Sequence, residues 1–221
     1  MDIKVNFSGR AIQYTEEEIA VVVEAMRNAE PLTQGRHMRE FESRFATYQG
    51  VEQGSCFTAM NGASALEMSA QLCLLKPGDE IVMPSHTFTA SAYPYVKKGA
   101  VMAWADIDLP TRVVTAETVE RALTPRTKAV VVVHLYGYVA DMPAIAALCG
   151  EKGILCIEDA AQSIGSELDG RKAGSFGDMA AFSFHSHKNL TTLGEGGMLY
   201  LRDPEMRAIL PALRHNGHCA Y

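Results

Sequence analysis

From residue 55 onward, short apolar runs alternate with segments of helical periodicity. Runs such as AVVVV at 129–133 are apolar at every position, whereas a strand with one face in water alternates with polar residues. Burial on both faces is typical of a mostly parallel sheet with helices on each side. The runs that predict strands are SCFTAM, EIVMP, VMAWA, AVVVVHLY, ILCIE, MAAFSF and GMLYL. The sequence therefore predicts an α/β fold whose ligand site lies where the strands end.

Two amphipathic helical patterns precede this alternation, near 16–29 and 37–48. The second carries Met38, Phe41 and Phe45 at helical spacing. We expect an N-terminal arm and helix at residues 1–30 and the main domain at residues 31–221.

Charge and cysteine content exclude several classes of protein. The formal charge is −6 and no run of Lys and Arg occurs, so we expect no nucleic acid or membrane partner. No apolar stretch approaches the roughly 20 residues of a membrane helix, and the start MDIKVNFSGR lacks a signal peptide's apolar core, which predicts a cytoplasmic protein. The five cysteines form no C-x-x-C motif and predict reduced thiols. Small-molecule chemistry is the remaining expectation.

The first candidate site stretch is MNGASALEM at 60–68, after the first predicted strand. Gly62 permits close approach to the backbone, and a helix beginning here would offer unpaired amides to a phosphate. The alternative is an ordinary strand-to-helix turn capped by Asn61 or Ser64.

The second stretch is ILCIEDAAQSIG, in which a buried strand ends in Glu158 and Asp159, with Gln162 following. A carboxylate at a strand end can point into the ligand crevice, although Asp is also a common helix cap.

The third stretch, FSFHSHKNLTTLGEGG at 182–197, places Lys188 after a strand and before a glycine-rich turn. A lysine in cationic or apolar surroundings can form a Schiff base with an aldehyde. Pyridoxal phosphate supplies such an aldehyde, and it needs a carboxylate at its ring nitrogen and donors for its phosphate. Asp159, Gly62 to Ser64 and Ser183 match those requirements.

Linked motifs then identify a family resemblance. They are PLTQGRHMREFESRFATYQG (31–50), NGASALEMSA (61–70), GDEIVMPSHTFTASA (78–92), VVHLYGYVADM (132–142), EDAAQSIGSELDGRKAGSFGDMAAFSF (158–184) and KNLTTLGEGGM (188–198). The chain resembles the DegT/DnrJ/EryC1/StrS family of pyridoxal phosphate-dependent sugar aminotransferases. The resemblance implies that residues 31–221 form a fold type I aminotransferase large domain, with a mostly parallel seven-stranded sheet flanked by helices. It also implies that a C-terminal small domain is missing, so that the chain is a fragment or a truncated product, or depends on another chain.

The same resemblance assigns roles around the cofactor. Lys188 is the catalytic residue, as Schiff-base lysine and proton shuttle. Asp159 pairs with the pyridine nitrogen, and Gln162 bonds the 3-hydroxyl.

For the phosphate, the resemblance implies the turn at Gly62, the amides of Ala63 and Ser64, and the hydroxyl of Ser183. Phe88 is the expected stacking residue and His86 the alternative, while His185 and His86 are candidates for contact with the sugar.

The implied reaction passes an amino group from glutamate through pyridoxal phosphate to a keto or aldehyde sugar, either nucleotide-linked or a free sugar acid. The expected setting is cell-surface polysaccharide synthesis, lipopolysaccharide included, or natural-product synthesis, in a homodimer with shared active sites. A noncatalytic pyridoxal phosphate module with a sensory or assembly role stays open. A sugar dehydratase of the same fold would replace the lysine with histidine, so Lys188 argues against it.

Departures from the family pattern are Ala63, where threonine is common, and Tyr138, where glutamine or a similar polar residue is common. A metal site at His185 and His187, or at His215 and His218, is not predicted, because no cysteine or carboxylate cluster completes a ligand set.

Overall fold

The computed structural model describes residues 13–215 and residue 217. Residues 1–12 of the expected arm and His218 lie outside the described residues. The helices are α1 (Glu16–Asn28), α2 (Arg36–Gln49), α3 (Gly62–Leu72), α4 (Thr89–Lys97), α5 (Ala116–Ala122), α6 (Met142–Lys152) and α7 (Pro204–Arg214). The strands are β1 (Cys56–Ala59), β2 (Glu80–Pro84), β3 (Val101–Ala105), β4 (Thr127–Val133), β5 (Leu155–Asp159), β6 (Glu167–Leu168), β7 (Arg171–Lys172), β8 (Met179–Ser183) and β9 (Gly197–Leu201).

The main sheet has seven strands in the order β1-β9-β8-β5-β4-β2-β3. Strand β9 pairs antiparallel with β1 and β8, and all other pairings are parallel. The predicted α/β class and mostly parallel seven-stranded sheet are thereby confirmed. The small β6–β7 hairpin is an additional element that the apolar runs do not reveal.

Burial on both faces explains why the strands lack polar alternation. Val131 and Val133 pack in a cluster with residues of α3, α4 and α7, while Val130 and Val132 pack in a second cluster with residues of α5 and α6. On the side of β8 and β9, Phe45 of α2 packs against Phe182, with ring centroids 4.9 Å apart. Helices therefore cover both faces of the sheet, and its strand ends form an open edge.

Helix α1 is the exception, because it buries none of its side chains. Its apolar residues Val21 and Met26 are 60% and 74% exposed. Within the described part of the chain, no helix combines the length and apolar character that crossing a membrane requires.

The fold places six strand ends at one edge. All strands of the main sheet except β9 run in the same direction, so their carboxyl ends meet there, together with the first residue of the reversed strand β9. This is the edge at which open α/β sheets bind ligands.

Candidate active site

A cavity of about 450 Å³ opens at this edge of the sheet. Residues that follow β1, β2, β4, β5 and β8 line it, among them Gly62, Phe88, Leu135, Asp159 and Lys188. The structure thus brings together the three stretches that the sequence singled out.

Asp159 lines this cavity and is 5% exposed. Its Oδ2 accepts a hydrogen bond from Ser91 Oγ at 2.6 Å, and its Oδ1 accepts one from the Ala161 amide at 3.1 Å. No helix begins after Asp159, so the alternative reading of this residue as a helix cap is wrong. A buried carboxylate with two donors is suited to hold a cationic ring nitrogen.

The neighbouring carboxylate of Glu158 has a structural role. It is wholly buried and accepts hydrogen bonds from His134 Nε2 at 2.8 Å and from the amides of Gly174, Phe176 and Gly177 at 2.6–2.7 Å. Burial raises the pKa of Glu158, whereas the hydrogen bonds from His134 and the backbone lower it. The lowering effects together are larger, so the pKa of Glu158 lies below its ordinary value. Glu158 therefore ties two loops behind the cavity to the end of β5.

Lys188 lies half-buried in the turn after β8, and its amide donates to the carbonyl oxygen of His185 at 2.8 Å. Burial lowers the pKa of its amine, and the charge of Asp159 opposes that shift only in part. A lowered pKa leaves more neutral amine, the form that attacks an aldehyde.

The start of α3 forms one wall of the cavity. Asn61 is its cap, because Asn61 Oδ1 accepts from the Ser64 amide at 2.9 Å and from Ser64 Oγ at 3.0 Å. The structure therefore does not bring Ser64 to the cavity, whereas Gly62, Ala63 and Ser183 line it. The helix-start amides that face a bound phosphate would be those of Gly62 and Ala63.

Two glycines permit this close packing. A Cβ on Gly62 would lie 2.9 Å from the Cβ of Ser183, and a Cβ on Gly197 would lie 2.4 Å from the carbonyl of Asn61. The start of α3 can therefore sit directly against the ends of β8 and β9.

Gln162 is fixed by the loop after β4. Its Oε1 accepts from the Tyr136 amide at 2.8 Å, and Tyr136 has a left-handed backbone conformation with φ 56°. With the oxygen engaged, the side-chain nitrogen of Gln162 is its donor toward the cavity.

Of the two candidate stacking residues, Phe88 lines the cavity and His86 does not. The Phe88 side chain is 70% exposed at the cap of α4. The ring of His86 instead lies beside Tyr136, with centroids 6.5 Å apart.

His185 and His187 both line the cavity beside Lys188, and their ring centroids are 5.0 Å apart. His185 Nε2 lies 3.5 Å from Oε1 of Glu195, a charged pair when His185 is protonated. His215 contacts Gln34 through Nδ1 at 3.0 Å. Among residues 13–215 and 217, no group of three or more His, Cys, Asp or Glu side chains is arranged to hold a metal ion.

Sequence reasoning missed two polar residues of this cavity, Ser91 and Glu195, as well as its apolar walls. Ser91 lies in α4 and Glu195 in the turn before β9, and a single hydroxyl or carboxylate in the sequence does not show which residue it will contact. Ser91 is 68 residues from Asp159 along the chain, so only the fold shows their contact.

The chain is similar in sequence and in fold to proteins named as aminotransferases, and to one named as a dehydratase. An Acidithiobacillus ferrooxidans protein named UDP-N-acetyl-3-dehydro-alpha-D-glucosamine 3-aminotransferase is 40% identical over 183 residues, 83% of this chain and 49% of that protein. The crystal structure of the aminotransferase TlmJ from Streptoalloteichus hindustanus has a TM-score of 0.86 and 37% identity, covering 91% of this chain and 54% of that one. The E. coli GDP-4-keto-6-deoxy-D-mannose-3-dehydratase was solved with bound hydrated pyridoxal phosphate. Its structure has a TM-score of 0.86 and 26% identity, covering 95% of this chain and 55% of that one.

The chain spans about half the length of the curated relatives it matches. The sequence profile of one family matches residues 13–220, which is nearly the whole chain. The protein therefore belongs to the DegT/DnrJ/EryC1/StrS aminotransferase family.

Proposed function

We propose that residues 31–221 are the cofactor-binding domain of a pyridoxal phosphate-dependent sugar aminotransferase, with residues 1–30 as its N-terminal arm. The observation that carries this proposal is the half-buried Lys188, which lines the same cavity as the buried Asp159 and the start of α3. A nucleophilic amine, a buried carboxylate and helix-start amides are the donor set that this cofactor requires.

The residues present fit the cofactor. When bound, pyridoxal phosphate supplies an aldehyde carbon that condenses with amines and a ring that accepts electron density. Asp159 would hold the ring nitrogen, Gln162 would donate to the 3-hydroxyl, and Phe88 would cover the ring face. The amides of Gly62 and Ala63, with the hydroxyl of Ser183, would hold the phosphate. Ala63 lacks the hydroxyl that threonine would supply, but its backbone amide can still donate.

Lys188 would act both as covalent anchor and as the group that moves a proton. Its lowered pKa leaves a larger fraction of the Nζ amine neutral, and a neutral amine can accept a proton from a substrate carbon and return it to an adjacent one. The Asp159 carboxylate, oriented by hydrogen bonds from Ser91 and Ala161, would lie beside the ring nitrogen. Leu66, Val133 and Leu135 provide apolar walls that keep water from the reacting atoms.

For the substrate, we propose glutamate as amino donor and a keto or aldehyde sugar as acceptor, as the sugar-nucleotide name of the Acidithiobacillus relative supports. His185 lines the cavity beside Lys188 and is the proposed contact for sugar hydroxyls. His86 does not line the cavity, so it would contact only a part of the substrate that extends outside it. A homodimer with shared active sites, a cytoplasmic location and a role in cell-surface polysaccharide synthesis stay predictions.

The experiment follows the visible absorption of the purified protein with pyridoxal phosphate. Wild type should develop an absorption band that changes on addition of glutamate, and with a panel of keto sugars it should release 2-oxoglutarate. Lys188→Ala should lack the band and the turnover, whereas Lys76→Ala, at an exposed lysine, should keep both. Activity confined to ordinary 2-oxo acids would contradict the sugar assignment, and unchanged turnover in Lys188→Ala would refute the mechanism.

A further inference from the structure

Two hydroxyl side chains lie behind Asp159 in a directed chain of hydrogen bonds. Thr87 Oγ1 donates to Ser91 Oγ at 2.8 Å, and Ser91 Oγ donates to Asp159 Oδ2 at 2.6 Å. Ser91 is fully buried, so its hydroxyl has no contact with bulk solvent in this structure. We refer to Thr87 and Ser91 as the hydroxyl pair.

The direction of these hydrogen bonds follows from the number of protons that each group can donate. A serine hydroxyl has one proton to donate, and Ser91 already accepts from Thr87. Its single proton is therefore committed to Asp159. Oδ1 of Asp159 faces the Ala161 amide, which can only donate. Both oxygens of Asp159 thus accept hydrogen bonds, an arrangement that fixes the orientation of the carboxylate.

The hydroxyl pair also shares one helical turn with the ring-covering residue. Phe88 caps α4 directly after Thr87, and the Ser91 amide donates to the Phe88 carbonyl at 2.9 Å. One turn therefore sets both the place of the Phe88 backbone and the orientation of the Asp159 carboxylate.

We propose that Thr87 and Ser91 are positioning residues that hold Asp159 as an oriented carboxylate, so that a bound pyridine nitrogen stays protonated. This inference rests on the proposed function, since it concerns the same cofactor. The hydroxyl pair acts through Asp159, because the Ser91 proton is engaged there and is not available to a ligand.

The test compares two ligands in the full chain: pyridoxal phosphate and its 1-deaza analogue, which has a C–H in place of the ring nitrogen. Ser91→Ala should weaken binding of pyridoxal phosphate about 10-fold, as expected for a lost hydrogen bond to a charged group. Binding of the deaza analogue, which makes no bond to Asp159, should stay within about twofold by the same reasoning. Ser69→Ala is the matched control, since Ser69 is equally buried but does not line the cavity. Its hydroxyl donates to Leu66 O at 2.7 Å and lies 2.8 Å from Tyr95 Oη.

A spectroscopic readout separates positioning from support of the fold. With ¹⁵N-labelled cofactor, the ring-nitrogen signal should move toward the unprotonated position in Ser91→Ala and, to a smaller degree, in Thr87→Val, while Thr87→Ser should match wild type. Thr87→Val provides this readout even where Ser91→Ala does not fold.

The outcomes are distinguishable. Equal weakening of both ligands, or an unmoved nitrogen signal in both variants, overturns the role of the hydroxyl pair and leaves the proposed function intact. A wild-type chain that binds neither ligand refutes the proposed function, and the role of the hydroxyl pair with it.

Discussion

Replacing Glu158 with glutamine tests whether this carboxylate holds the loops behind the cavity. In the folded protein its Oε2 accepts from His134 and Gly174, and its Oε1 accepts from Phe176 and Gly177. A glutamine of the same shape presents one oxygen and one nitrogen. The nitrogen can only donate, so it meets two donors whichever way the amide is turned.

The cost follows from these contacts. Two of the four hydrogen bonds are lost, and each is worth about 1.5–3 kcal/mol because the acceptor is charged. A change of His134 to its other tautomer offers little relief, because Nδ1 would then carry the proton and could no longer accept from the Ala140 amide, which lies 3.4 Å away. We therefore expect Glu158→Gln to lower the free energy of unfolding by about 3–5 kcal/mol.

Urea unfolding followed by circular dichroism measures this loss at pH 7. Glu167→Gln is the control, since Glu167 pairs with Lys172 at the surface and should cost less than about 1 kcal/mol. The pKa of Glu158 is lowered in the folded state, so its stabilisation is present above the ordinary value of 4.5 and is lost as pH falls through the folded-state pKa. The difference between wild type and Glu158→Gln should therefore be complete at pH 7 and shrink below about pH 4.5. A loss under about 1 kcal/mol at pH 7 would refute this reasoning.

Three further predictions concern the cavity itself. Asp159→Asn should lower turnover about 100-fold or more while retaining part of the cofactor binding, because the charge at the ring nitrogen is lost; steady-state kinetics and a binding titration measure the two effects, and near-normal turnover would contradict the role. Gly62→Ala should weaken binding of pyridoxal phosphate, because the new Cβ would lie 2.9 Å from the Cβ of Ser183. Gly150→Ala is the control, since open space surrounds Gly150 and the affinity should not change. Equal affinities of the two variants in a binding titration would argue against the tight packing at Gly62. The rate at which Lys188 reacts with pyridoxal phosphate should reach half its maximum at a pH below 10.5, because burial lowers the pKa of Lys188. In Asp159→Asn that midpoint should fall further, since the charge that raises the pKa is gone; a midpoint at or above the wild-type value would contradict this.

The strands were predictable because burial on both faces leaves a direct trace in the sequence, as in the unbroken valines of β4. The direction of β9 was not, since a buried strand has the same apolar composition whichever way it runs. The hairpin of β6 and β7 was not predicted, because strands of two residues are too short to show a hydrophobic period.

The site was predictable only in part. Gly62, Asp159 and Lys188 could be proposed because each follows a strand, and the structure places all three on one cavity, while their chemical roles stay predictions. The choice of Asn61 over Ser64 as helix cap depends on which residue has extended backbone angles, which composition does not specify. The contact of Ser91 with Asp159 joins distant segments and required the assembled fold.

The interior position of β9 has a consequence for the order in which the chain can fold. Strand β1 pairs with β9 alone, so the first strand of the sheet has no place in it until the chain has reached residues 197–201. Closing that pairing joins segments far apart in sequence, which is the slow kind of contact in folding. A nascent chain that stops short of β9 therefore lacks the strand that joins β1 to the sheet. The close packing of Gly197 against Asn61, at the start of α3, also cannot form until β9 has been made.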